Sequence, residues 1–213
     1  MKKRYCIVFA AALAGMALIL IAFYHAYADR ETSMRRWGQQ MADLTGTADM
    51  SSRSLAAVNG ESIDFEQFKA YKIGLSYAAG NFSDEEILNK LIERKLMLQD
   101  AEAHGIAVSE EEVRAFNEES FALMEQDEAG KEAILDYIQG RGITLEEYKE
   151  MCLRNSEIAL IGMKYRSFLE NEYDKTAESN ALSAQSFEDY YAAHLQTVRK
   201  NADIVINEEF LEG

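Results

Sequence analysis

The stretch that decides the fold runs without a break from Val58 to Val113. It begins within AAVNGESID (56–64), an apolar segment that reaches a turn, and continues into a helical pattern, FEQFKAYKIGL (65–75). SDEEILNKLIERKLMLQDAEAHG (83–105) then reads as one amphipathic helix. Its Ser83 and Glu86 have the spacing of a capping box, in which the serine hydroxyl and the glutamate carboxylate each satisfy an end-of-helix N–H. Ile87, Leu88, Leu91, Ile92, Leu96, Leu98 and Ala101 form its apolar face, and Gly105 is the stop. IAVSEEEV (106–113) is a short extended link that ends in a second box, Ser109 with Glu112.

Outward from this stretch the same grammar repeats. The helix opened by Ser109 continues through Val113, Phe116, Phe121 and Met124. Lys131–Gln139 makes a further turn or two, closed by Gly140-Arg141-Gly142. Thr144 with Glu147 starts a long helix whose apolar marks run from Leu145 through Tyr148, Cys152, Ile161, Tyr165 and Phe168 to Leu169. A softer break follows at NEYDKTAESNALSAQ, and Ser186 to Asp189 caps a last helix. Near the N-terminal end LAAVNGESI (55–63) reads as a strand with an Asn-Gly turn signal, with Asp64 as cap of the next helix. Near the C-terminal end the β-branched Ile204, Val205 and Ile206 read as another strand. Two short strands at opposite ends of a helical body are expected to pair antiparallel and close the domain.

Proline is absent from all 213 residues, which permits long helices. A hydrophobic share of 48% and a charged share of 28% belong to a folded protein. The net charge of −15 is uneven: residues 1–37 carry six basic and two acidic side chains, so the remainder stands at −19. Such a body repels phosphate backbones, and no nucleic-acid partner is expected.

MKKRY followed by the 19 uncharged residues Cys6–Tyr24 reads as an export signal or anchor. Residues 1–28 are assigned to it, with the membrane span at about 6–24, the amino terminus cytoplasmic and the body outside the membrane. Ala26-Tyr27-Ala28 has the form of a cleavage site, and secretion after Ala28 is the alternative. Residues 29–54 are read as a juxtamembrane segment, with Trp37 near the interface, and a linker. The folded domain is placed at 55–207 and a tail at 208–213.

No pair among His25, His104 and His194 has metal-ligand spacing, and the two cysteines, Cys6 and Cys152, form no cluster. Cys152 reads as a small buried apolar side chain on a helix. No nucleophile elbow, Walker loop or dinucleotide fingerprint is present. No catalytic residue, metal or cofactor is therefore expected. The many aromatic and methionine side chains are core material first, and adaptable binding surface second.

The order of elements resembles the N-terminal chaperone domain of the SurA/PrsA-type exported foldases. The likeness rests on Val58–Ile63, on Leu91–Leu96 with Gln99 and Ala101, and on Gly105-Ile106 with Val108-Ser109 and Glu111–Val113. It continues through Gly142-Ile143 with Leu145–Tyr148, and Tyr190-Tyr191 before Ala202–Ile204. It implies a mainly helical domain that binds unfolded or newly translocated polypeptides. Phe82, Phe116, Phe121, Met124, Tyr137, Tyr148, Tyr165 and Phe168 are the candidate client-binding side chains. In such foldases the last strand usually leads into a parvulin prolyl isomerase, which needs about another hundred residues. The sequence stops seven residues after Ile206, so a chaperone domain without isomerase activity is expected. Two alternatives stay open: a dedicated assembly partner of one membrane or exported protein, and a relative of the isomerases that has lost catalysis. The long helical arms also leave a homodimer open.

Overall fold

The computed structural model describes residues 30–45, 54–78, 82–178 and 186–207. The proposed span, Cys6, the cleavage site after Ala28, the linker residues 46–53 and the tail 208–213 lie outside them. Among the described residues no helix is long and apolar enough to cross a membrane. Those residues form seven helices and three strands: α1 (Arg30–Thr45), β1 (Ser54–Val58), β2 (Glu61–Asp64), α2 (Phe65–Ala78), α3 (Asp84–Ala103), α4 (Glu110–Glu125), α5 (Glu128–Arg141), α6 (Leu145–Glu178), α7 (Phe187–Asn201) and β3 (Ile204–Ile206). The chain divides into two compact units.

One unit holds α1, most of α2, most of α4, α5 and the start of α6. Its α1 runs along α5, with Arg35 Nη2 donating to the Asp136 carboxylate at 3.0 Å. Two glycines permit the approach. The Arg35 carbonyl lies where a Cβ on Gly140 would stand, and the Tyr137 carbonyl where one on Gly38 would stand. Trp37 stacks on Tyr77 at 5.6 Å and meets Tyr137 edge-on at 5.0 Å. Helix α5 starts earlier and ends later than the sequence indicates. Asp127 caps it by accepting from the N–H groups of Ala129 and Gly130, so that Gly140 and Arg141 are helical. The stop is Gly142, left-handed at φ 71°.

The other unit holds the sheet, the start of α2, α3, most of α6, α7 and the β3 strand. The sheet has the order β2-β1-β3, antiparallel throughout. The pairing of the N-terminal strand with the C-terminal one is as expected, but the sheet has three strands, not two. Asn59 and Gly60 both take positive φ, 51° and 83°. Two consecutive residues of that kind make the tight hairpin turn whose twist suits flanking strands. The segment 55–63 is therefore folded back on itself as β1 and β2.

Gln99 of α3 holds this hairpin, donating to the Val58 carbonyl at 3.0 Å and to Glu61 at 2.7 Å while accepting from Asn59 at 2.9 Å. Lys95 adds an ion pair to Glu61 at 3.0 Å. Asn59 also accepts from the Asp203 N–H at 2.8 Å and donates its own N–H to the Asp203 carbonyl at 2.7 Å, which fastens the C-terminal strand. Val58, Ile63, Ile87, Ile92, Tyr165 and Leu169 are almost wholly buried here. Deleting residues 202–213 removes the outer strand and both Asp203 bonds, and is expected to lower the Tm of this unit by several degrees. Circular dichroism melts of the full and shortened chains check it, with an unchanged Tm as the contrary result.

The capping boxes of Ser83–Glu86, Ser109–Glu112, Thr144–Glu147 and Ser186–Asp189 all form, each serine or threonine oxygen accepting from the N–H three residues on. Helix α6 is 34 residues long and continues to Glu178, through the first part of the segment read as a break. Residues Asn171–Glu178 contain no proline or glycine, so nothing local ends the helix there.

Candidate functional site

Four of the eight candidate side chains come together in the unit that contains α1. Phe121, Ile134 and Ile138 form a buried cluster, and Met124, Ile143, Tyr148 and Cys152 pack against it. The spacing Phe121-Met124 on α4 is one helical turn, as is Tyr148-Cys152 on α6, so each pair presents one face. Tyr148 meets Phe121 edge-on at 5.8 Å and lies 5.4 Å from Tyr137. Burial pushes the Tyr148 phenol, the Tyr137 phenol and the Cys152 thiol up, which keeps all three neutral near pH 7. Cys152, read as buried, is half-buried and is a free thiol. Phe116 is buried and Phe82 half-buried in the same unit. Tyr165 and Phe168 belong to the other unit, where Tyr165 is core and Phe168 packs against it.

Phe121 alone of the eight lines a groove of about 340 Å³ between α4 and the first turns of α6. Phe121, Ala122 and Leu153 are its apolar lining, and the rest is mostly charged: Arg114, Glu118, Glu125, Glu146, Lys149 and Glu150. Lys149 sits 5.6 Å from the Phe121 ring centroid, and Arg114 pairs with Glu150 at 3.7 Å. Asn117, buried at the groove, donates to the Lys149 carbonyl at 3.1 Å and ties the two helices. The groove offers no assembled nucleophile and base, and its shape asks for no particular sequence.

A second arrangement, which sequence reasoning missed, lies in the other unit. Asp100 of α3 accepts from the Tyr165 hydroxyl at 2.6 Å and from His194 Nε2 of α7 at 2.8 Å, with His104 Nδ1 at 3.6 Å. One carboxylate thus joins three helices. The Asp100–His104 spacing of four residues was a signal in the sequence; nothing local announces His194, 94 residues away. Around it Tyr173, Phe187, Tyr190 and Tyr191 pack ring to ring, with Arg166 over Phe187 and Tyr191 at 4.9 and 5.2 Å and ion-paired to Glu188.

Burial pushes the Asp100 carboxyl up, but the hydrogen bonds from Tyr165 and His194 and the attraction of the two imidazoles outweigh it. The net effect holds the group below the usual carboxylate range. A carboxyl depressed in the folded state stabilises above its unfolded pKa, near 3.9, and loses that contribution as pH falls through the folded value. Melts of the wild type are therefore expected to lose stability below about pH 4, and Asp100→Asn to melt lower at pH 7 with a smaller further loss in acid. Equal acid slopes for the two proteins would dispose of this account.

No curated protein and no solved structure matches the chain. Residues 8–160, more than half of the sequence, match the family model of the SurA-like N-terminal domain, and the chain belongs to that family.

Proposed function

We propose that this chain is an exported, membrane-held chaperone that binds unfolded or newly translocated polypeptides and carries out no chemical step on them. Membership of the SurA-like N-terminal domain family is the observation that carries the reading. The groove at Phe121 supports it, because a shallow lining of few apolar and several charged side chains suits many sequences weakly instead of one tightly. The basic MKKRY before the apolar run 6–24 supports export, and an acidic body keeps a protein with exposed apolar sites soluble.

The test is suppression of aggregation. The full chain in lipid nanodiscs, at stoichiometric amounts, is mixed with several unrelated proteins diluted from denaturant and light scattering is followed. Suppression across unrelated clients is expected. Ala122→Arg, which fills the groove from an exposed position and leaves the core alone, is expected to need about tenfold more chain for the same effect, equivalent to about 1.4 kcal/mol of binding. No suppression of any client moves the reading to a dedicated partner subunit, whose one stoichiometric partner crosslinking at the membrane would capture.

A further inference from the structure

The groove at Phe121 already holds a cation. Lys149 Nζ stands over the Phe121 ring, 5.6 Å from its centroid, where the electron-rich face attracts positive charge. Glu146 lies one turn before it on α6 and lines the same groove, yet no ion pair joins Lys149 to a described residue. The ring, not a carboxylate, is the partner of this ammonium, which sits at the end of a flexible four-carbon stem.

The other charges of the lining do not balance. Arg114 is taken by Glu150 at 3.7 Å. Glu118, Glu125 and Glu146 have no ion pair with a described residue. Glu146 stands in the first turn of α6, where the positive end of the helix favours a carboxylate. No such effect accounts for the other two. Glu118 is in the middle of α4, and Glu125 is its last residue, at the end where the helix disfavours negative charge. Along α4 they stand three residues before Phe121 and four after it, one turn to either side of the ring, and both are exposed.

We infer that this groove takes a lysine or arginine side chain of a bound polypeptide, in the place over Phe121 that Lys149 holds in the free chain. The inference rests on the chaperone reading and names the side chain its groove prefers. Lysine and arginine lay an apolar stem along apolar surface and keep the charge in water. Here the stem meets Phe121 and Leu153, and the charge meets Glu118 and Glu125. An acidic side chain would be repelled by these carboxylates, and an apolar one would leave them without a partner. A second copy of this chain is a poor occupant, since its body beyond residue 37 is itself at −19. Lys149 thereby acts as a built-in competitor that an incoming cation displaces.

The experiment uses the full chain in phosphatidylcholine nanodiscs, with empty discs as the blank, and three fluorescent peptides followed by anisotropy at low salt. The peptides share a frame of serine, glycine and leucine and differ at one central residue: lysine, norleucine or glutamate. The lysine peptide is expected to bind about tenfold tighter than the norleucine one, and the glutamate peptide weakest, with the preference shrinking as salt is added. Glu118→Gln combined with Glu125→Gln is expected to abolish the preference. Lys149→Met keeps an apolar stem and removes the competing charge, and is expected to bind the lysine peptide about fivefold tighter, near the worth of one exposed contact between a cation and a ring. A variant that merely misfolds would not gain affinity, so this arm is independent of stability. Equal binding of the lysine and norleucine peptides by the wild type, or no gain in Lys149→Met, would overturn the inference. Aggregation suppression across unrelated clients with no preference for lysine removes this inference and leaves the chaperone reading standing; the preference without suppression does the reverse.

Discussion

Tyr165→Ala is expected to destabilise the unit containing the sheet by about 4 kcal/mol, near the middle of the range for removing a buried ring. Tyr165 has no exposed surface and packs with Ala101 and Leu169 at the centre of its cluster. The substitution opens a cavity the size of a phenol and also takes one of two short donors from Asp100. Tyr165→Phe isolates the second effect. It keeps the ring and leaves the carboxylate with fewer donors, for an expected loss of about 1–2 kcal/mol. Urea denaturation of the three proteins measures both. A Phe variant as unstable as the Ala variant would mean that the hydroxyl, not the ring, carries the energy.

Gly140→Ala is expected to separate α1 from α5, at a cost of about 3 kcal/mol, the upper end of what overpacking costs. The added methyl meets the carbonyl, carbonyl carbon and Cα of Arg35, all backbone, so no rotamer change relieves it. Trp37 is the one tryptophan of the chain and lies between Tyr77 and Tyr137. Its emission therefore reports the docking of α1, and a red shift with faster amide exchange over 30–45 is expected. Gly74→Ala is the control, since a Cβ there meets nothing within 4 Å. In a helix that change is expected to stabilise by about 0.5–1 kcal/mol. Unaltered Trp37 emission in Gly140→Ala would show that α1 is not held by this contact.

What the sequence carried well was local. Ser83, Ser109, Thr144 and Ser186 announce four helix starts, and all four boxes form, because each bond spans three residues and is decided within one turn. The face of α3 was legible for the same reason: Ile87, Leu88, Leu91, Ile92, Leu96 and Ala101 are buried where the period places them. Asn59-Gly60 was visible as a turn, yet the hairpin it makes was read as one strand, since each arm has only four or five residues. The ordered set of such signals carried the resemblance, and the family match covers residues 8–160, short of the last helix and strand.

The site was less legible. An aromatic residue at a helical core position carries the same pattern whether it closes a core or floors a groove. Phe116 and Phe121 are both buried on α4, and only the neighbours that α6 supplies put Phe121 at the groove. The contact between Gly38 and Gly140, the meeting of Asp100 with His194, and the pairing of β3 with β1 likewise join residues some 90 to 150 positions apart. The sequence by itself determined the helix starts and their capping boxes, because those depend on terms that act within a few residues. The tertiary structure alone decided which aromatic lines the groove, which carboxylate collects two imidazoles and which distant strands pair. Those outcomes depend on how distant segments pack once the chain has closed, and no local pattern encodes that geometry.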